Sequence, residues 1–316
     1  MARGNLIWWN GAIVPESEAK ISLFTHGLHY GSGAFEGIRA YKQAQGGGAI
    51  FRLKEHIKRL YESAHIMDFR IPYTQDQIVE ACKETCRVNK FEECYVRPIV
   101  FLGDEQLGVF PGTDPVLKVA ILTWEWGAYL GDRGIKEGSK LKISSFIRPH
   151  VNSIMTKGKI TGQYITGVLA KRDAKLTGFD EALLLDPEGY LAEGSGENLF
   201  IIKNGVVKTG PLSSVLSGIT RNTVLNYFQW KNFPIELARY SREELYTADE
   251  AFLTGTAAEI TPIQSVDGRK IGEGKPGPIT LKLVADYGKI VRGAISDLDT
   301  NLATHKEKLT GWLDKI

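Results

Sequence analysis

The stretch Tyr190-Leu191-Ala192-Glu193-Gly194-Ser195-Gly196-Glu197-Asn198-Leu199-Phe200 decides how this chain is read. It follows an apolar strand, Glu181 to Asp186, closed by a Pro-Glu-Gly turn, and it runs into a second strand, Asn198 to Lys203. Asn204-Gly205 then turns the chain back through Val206 to Thr209, the strongest hairpin signal in the sequence. Two carboxylates, Glu193 and Glu197, stand among glycines, and Gly194 and Gly196 imply close packing or an unusual turn. The pair fits a general acid and base; it equally fits one functional group beside one solvated charge.

Two small-residue turns lie downstream. Ser217-Gly218-Ile219-Thr220-Arg221 precedes a helix from Asn222 to Trp230, and the strand Phe252-Leu253-Thr254 runs into Gly255-Thr256-Ala257-Ala258. Unsatisfied N–H groups and the helix dipole both favour an anion at such a start. An ordinary capped N-terminus explains the first turn as well. Two of them in one region point to a phosphate or carboxylate clamp. Upstream, Lys157-Gly158-Lys159 leads to Tyr164. A lysine shielded from water loses its proton more readily and becomes a Schiff-base former. The residues alone do not choose between Lys157 and Lys159.

Further outward the pattern is mixed. Ile7 to Val14 reads as a hairpin around Asn10-Gly11, and Gly46-Gly47-Gly48 as a hairpin tip before the strand Ala49 to Arg52. Helical spacing covers Lys54 to Asp68 and Thr74 to Asn89; Cys94 to Phe101, Val116 to Trp124 and Leu141 to Phe146 are strand-like. Gln163 to Leu176 is helical, stopped by Gly178, and the chain is expected to end in helices from about Ile279 to Ile316. Gly127, Gly131, Gly134 and Gly138 mark a link. The expectation is an α+β chain of two domains: 1–125, a linker at 126–138, and 139–316.

Composition narrows the function classes. The 316 residues are 43% hydrophobic with a formal charge of +2, too balanced for a nucleic-acid partner. No apolar run is long enough to span a membrane, and Met1 to Asn5 lacks the basic-then-apolar start of a signal peptide. Cys82, Cys86 and Cys94 have no metal-binding spacing, so no metal is expected; buried or free thiols fit a reducing cytoplasm. In Gly31-Ser32-Gly33 the nucleotide fingerprint spacing fails. The glycines from Gly27 to Gly37 instead suit a backbone passing close to a ligand.

Glu193 to Phe200 followed by Ser217 to Arg221 resembles the class IV aminotransferases, the fold type IV pyridoxal-phosphate enzymes. His29 to Arg39, Arg52 to His56 with Arg59, and Gly255 to Pro262 resemble the branched-chain aminotransferase subgroup, and the likeness runs from about Trp8 to about Ile290. It implies a smaller N-terminal α/β domain and a larger C-terminal one, with pyridoxal 5′-phosphate between them. The family's lysine lies five residues before a tyrosine. That selects Lys159, which would carry the cofactor as an internal aldimine and move the substrate proton, with Tyr164 on the ring's phenolic oxygen. Glu193 would pair with the pyridine nitrogen, since a negative partner favours its protonated form. Arg59, Gly218, the amides of Ile219 and Thr220, and Thr256 would hold the phosphate. Tyr30, Phe35, Gly37, Trp126, Tyr129 and, from a partner subunit, Val109 would wall an apolar pocket. Tyr95 with the amides of Thr256 and Ala257 would hold the α-carboxylate, and Arg97 the distal carboxylate of glutamate. The resemblance thus implies ping-pong transamination between leucine, isoleucine or valine and 2-oxoglutarate, in a dimer or hexamer. A D-amino-acid aminotransferase or an aminodeoxychorismate lyase of the same fold is the alternative.

Overall fold

The computed structural model describes residues 2–104, 107–127, 134, 136–213 and 215–316. The chain begins with a hairpin, β1 (Leu6–Trp9) and β2 (Ala12–Pro15), turned by Asn10 and Gly11 at positive φ as the Asn-Gly pair dictates. A short helix α1 (His26–Tyr30) leads to β3 (Gly33–Phe35), β4 (Ile38–Lys42) and β5 (Gly48–Phe51). Helix α2 (Leu53–Ile66) buries Leu53, Ile57, Leu60 and Ala64, one face at helical spacing. Helix α3 (Gln75–Val88) starts at a Thr74/Gln77 capping box, which satisfies its first amides. Strands β6 (Cys94–Leu102) and β7 (Leu117–Trp124) pair along their length. All three cysteines are free and buried in this first core.

The second half opens with β8 (Ser139–Ile147), α4 (Tyr164–Leu176) and β9 (Glu181–Leu185). Strands β10 (Leu191–Gly194), β11 (Asn198–Lys203) and β12 (Val206–Thr209) follow, then α5 (Ile219–Trp230), β13 (Ile235–Leu237) and α6 (Arg242–Tyr246). Next come β14 (Glu250–Gly255), β15 (Glu259–Val266), β16 (Arg269–Lys270) and α7 (Pro278–Val291). The sheet runs β10-β9-β8-β15-β14-β11-β12-β13, and β10 also pairs with β11 through Glu193 and Asn198. That last pairing closes six strands, β10-β9-β8-β15-β14-β11, into a ring. The carboxylate motif lies at the closure.

The C-terminus departs from expectation. After α7 come two short helices, α8 (Thr300–Ala303) and α9 (Lys306–Gly311), and then a strand, β17 (Leu313–Lys315), rather than helix to the end. It pairs antiparallel with β5, extending the first sheet to β17-β5-β4-β6-β7-β1-β2. Paired, the edge of β5 gains partners for its free backbone groups. Residues 313–315 therefore pair with the first sheet. A two-domain division between the sheets remains our proposal; of its linker, residues 128–133 and 135 lie outside the described residues. Among the described residues no helix is long and apolar enough to cross a membrane.

Candidate active site

A cavity of about 400 Å³ opens between the two sheets. Lys159 reaches into it from the segment before α4. Its backbone is pinned on both sides: the amide donates to Ser63 Oγ of α2 (2.9 Å), and the carbonyl accepts from the Phe35 amide (3.1 Å). Nζ then meets Tyr164 Oη at 2.6 Å and lies 5.0 Å above the Phe35 ring. Lys157 is exposed and does not line the cavity. The two lysines, which the residues taken alone leave equivalent, thus sit in different surroundings.

Glu193 faces the same space from β10. It is buried, and its carboxylate meets Arg148 Nε (3.0 Å), Asn198 Nδ2 (3.0 Å) and the Leu216 amide (3.2 Å). Burial raises this carboxyl above its ordinary value, against the pull of Arg148 and the Leu216 amide. Glu197 also lines the cavity, but burial, then the charge of Glu181, push it up to about 8. Its Oε2 accepts from the Gly196 amide at 3.1 Å. Burial raises both carboxyls; they differ in their neighbours, Arg148 beside Glu193 and Glu181 near Glu197.

The opposite wall carries the anion cradle. Helix α5 begins at Gly218 with no side-chain cap, and its first residues Ile219 and Thr220 line the cavity. A Cβ on Gly218 would lie 1.9 Å from Asn198 Oδ1, so the close approach requires glycine. Arg59 projects from α2 beside them, donating Nη1 to the Ser217 carbonyl (2.8 Å). Thr256 and Ala257 line the cavity from the β14–β15 turn.

Sequence reasoning missed what holds Arg59. Glu36, fully buried, accepts from Arg59 Nε (2.6 Å) and Nη2 (2.9 Å) and from His56 Nδ1 (2.7 Å). Burial alone would raise the Glu36 carboxyl, but Arg59 and His56 hold it well below the usual carboxylate range. Arg148 and Asn198 were missed likewise. Asn198 stands in the quoted motif, five residues from Glu193, whereas no spacing flags Arg148.

The apolar end is formed by Phe35, Gly37, Tyr95 and Trp126, with Arg97 among them. Gly37 is required, because a Cβ there would strike Tyr95 Oη at 1.9 Å. Other glycines of the 27–37 stretch pack against the chain itself: Gly31 on Gly162, Gly33 on Val100. Of the three, only Gly37 lines the cavity, and its own close neighbour is Tyr95. Tyr30 does not line its own chain's cavity; α1 carries it outward, 49% exposed and 4.5 Å from the His26 ring. Val109 is 88% exposed. Tyr129 lies outside the described residues.

The residues present fit pyridoxal 5′-phosphate on structural grounds. An amine paired to a phenol, a carboxylate fixed by an ion pair and two donors, and an uncapped helix start with an arginine share one cavity. The Thr254 and Thr156 hydroxyls, buried in its wall, have no hydrogen-bond partner among the described residues.

The chain is similar along most of its length to proteins of known family. Residues 33–266 match the family model for amino-transferase class IV. The branched-chain-amino-acid aminotransferase of Pseudomonas aeruginosa is 50% identical over 291 residues, covering 92% of this chain and 94% of that one. The crystal structure of the T.th. branched-chain amino acid aminotransferase with pyridoxamine 5′-phosphate is 44% identical, with a TM-score of 0.92, covering 100% of this chain and 99% of that one. The same enzyme complexed with N-(5′-phosphopyridoxyl)-L-glutamate gives 44% identity and a TM-score of 0.91, covering 99% of this chain and 98% of that one.

Proposed function

The chain belongs to the class IV aminotransferases, the premise from which we propose its activity. It is a pyridoxal-phosphate-dependent branched-chain-amino-acid aminotransferase, moving the amino group of leucine, isoleucine or valine to 2-oxoglutarate. The observation that carries the reading is the placement of Lys159 and Tyr164, 2.6 Å apart, in one cavity with Glu193 and with a second end that is apolar but holds Arg97.

When bound, the cofactor supplies a carbonyl carbon for the amine and a ring that takes up the electron pair of the broken Cα–H bond. The chain's own residues do the rest. Lys159 Nζ takes the proton from the substrate Cα, and Tyr164 orients that amine through its hydrogen bond. Glu193 presents negative charge for the ring nitrogen, held in place by Arg148 and Asn198. Arg59 and the first amides of α5 bind the phosphate; Tyr95 and the Thr256–Ala257 turn bind the α-carboxylate; Arg97 meets the second carboxylate of glutamate. Phe35, Gly37 and Trp126 exclude water around a hydrocarbon side chain.

Self-association is part of the proposal. Leu23, Phe24, Leu28, Tyr30, Val109 and Phe110 are exposed, and His26 ties the two segments by Nε2 to the Gly108 carbonyl (2.8 Å). A second copy of the chain would cover this face and receive Tyr30 and Val109 at its own pocket. Three buried free thiols suit the cytoplasm.

A half-reaction screen tests the activity. The pyridoxal form is mixed with single L- and D-amino acids, and its visible absorbance is followed. L-Leucine, L-isoleucine, L-valine and L-glutamate should bleach it. Bleaching by D-amino acids alone would favour the D-specific relative, and pyruvate release from aminodeoxychorismate the lyase.

A further inference from the structure

Arg52 is buried and holds a left-handed backbone at φ 54° between β5 and α2, uncommon for a residue with a side chain. Its contacts account for that conformation. The amide donates to the Trp312 carbonyl at 2.6 Å, and the guanidinium lies 4.7 Å from the centre of the Trp312 ring. Nη1 reaches three acceptors on the first turns of α5: the Ile219 carbonyl (3.2 Å), Asn222 Oδ1 (2.9 Å) and Thr223 Oγ1 (3.0 Å). Nε is fixed by Glu55 at 2.8 Å. Ile219 is the residue whose amide opens the anion cradle.

Trp312 is itself held by the end of the chain. It precedes β17, which pairs with β5, and its ring stacks on Trp230, the last residue of α5, at 5.7 Å. Phe51 packs on its edge at 5.9 Å. The C-terminal segment therefore touches α5 at both ends, through Arg52 at the first turn and through Trp230 at the last.

We propose that Arg52 is a positioning residue for the phosphate of the cofactor, and that Trp312 with the C-terminal strand locks it in place. Arg52 sets the direction in which the Ile219 and Thr220 amides point without touching the phosphate. Amide donors act on an anion only when aimed at it, so a small rotation of the first turn weakens every bond together. The inference rests on the reading that the phosphate lies on that turn.

The full-length chain, freed of cofactor, is titrated with pyridoxal 5′-phosphate and separately with pyridoxal, following absorbance. Arg52→Gln should weaken pyridoxal 5′-phosphate by about tenfold or more, the scale of one lost charge-assisted hydrogen bond, and shift pyridoxal by less than about twofold. Arg52→Lys should recover only part, because an ammonium lacks the planar fork that bridges Glu55 and α5. Trp312→Leu should shift the same selectivity by about threefold or more through loss of the stacked ring; it decides the matter if Arg52→Gln does not fold. Arg59→Met separates the two layers. Phosphate-selective loss in Arg59→Met with none in the folded Arg52 or Trp312 variants overturns the positioning role alone. If Arg59→Met also lacks it, the placement of the phosphate falls, and the inference with it. Equal losses for both probes in the Arg52 variants would likewise overturn it.

Discussion

Arg97→Leu offers the sharpest test of how one pocket accepts both leucine and glutamate. Tyr95 and Arg97 alternate on β6, so both face the cavity. The guanidinium carbon lies 4.6 Å from the Phe35 ring centre, 5.3 Å from Tyr95 and 5.5 Å from Trp124. Among the described residues its one hydrogen bond, Nη2 to Tyr95 Oη, is long at 3.4 Å. A cation so placed has donors to spare for a carboxylate. Truncating one member of a buried charge pair costs about 2–5 kcal/mol. Arg97 is only half-buried, so the lower end applies, about 2–3 kcal/mol or roughly 30- to 150-fold in kcat/KM for glutamate. Leucine should lose only the ring contacts, about 0.5–1 kcal/mol. Single-turnover measurement of both half-reactions gives the ratio. Equal losses for leucine and glutamate would refute the reasoning and make Arg97 a support of the site as a whole.

Lys159→Ala should abolish covalent cofactor attachment and turnover while Lys157→Ala keeps both; borohydride reduction and peptide mapping decide it, and an adduct on Lys157 would reverse the assignment. Glu193→Gln should slow proton removal from the substrate about 10²-fold, the scale of one lost electrostatic stabiliser, and Glu197→Gln much less; equal single-turnover rates would contradict the roles. Burial lowers the His56 pKa below its ordinary 6.5, outweighing the pull of Glu36. A depressed value means that folding stability from His56 is complete above about 6.5 and is lost as pH falls through the lower folded value. Wild-type stability to urea should therefore drop between about pH 7.5 and about pH 5.5, and His56→Gln should flatten that slope; identical slopes would count against a buried neutral His56. Glu36→Gln should cost about 3–5 kcal/mol in the same assay by leaving Arg59 buried and unpaired, and a loss below about 1 kcal/mol would show that Arg59 relaxes into solvent.

What is legible in the sequence is what is written locally. The hairpins at Asn10-Gly11 and Asn204-Gly205 depend on neighbouring residues, and both occur where the turn chemistry places them. The helix over Leu53–Ile66 announces itself by its apolar face. Lys159 and Tyr164 meet because a short segment leads straight into α4. The supporting groups depend on chain approach that no local pattern encodes. Glu36 and Arg59 come from β3–β4 and α2, and Arg148 reaches Glu193 from beyond β8. The terminal strand reads as helix because three residues carry too little periodicity, and its pairing is chosen by the open edge of β5. For a related reason the motif around Tyr30 gives the residue type, while the outward turn of α1 sets the side it faces.

The same arrangement explains why an arginine does not spoil a pocket for hydrocarbon. A guanidinium has two apolar faces and a polar edge, and its weak hydration lets the faces lie against aromatic rings. Phe35, Tyr95 and Trp124 surround Arg97 at stacking distances, so its charge is partly met by their electron-rich faces before any substrate arrives. A leucine side chain entering this space meets rings and need not strip water from a bare cation. Glutamate would use the polar edge, which Arg97 presents where it lines the cavity. Replacing Arg97 with Lys would keep the charge and lose this division, because an ammonium has no apolar face and holds its water tightly. On this proposal, the shape of one cation lets a single pocket take both substrates.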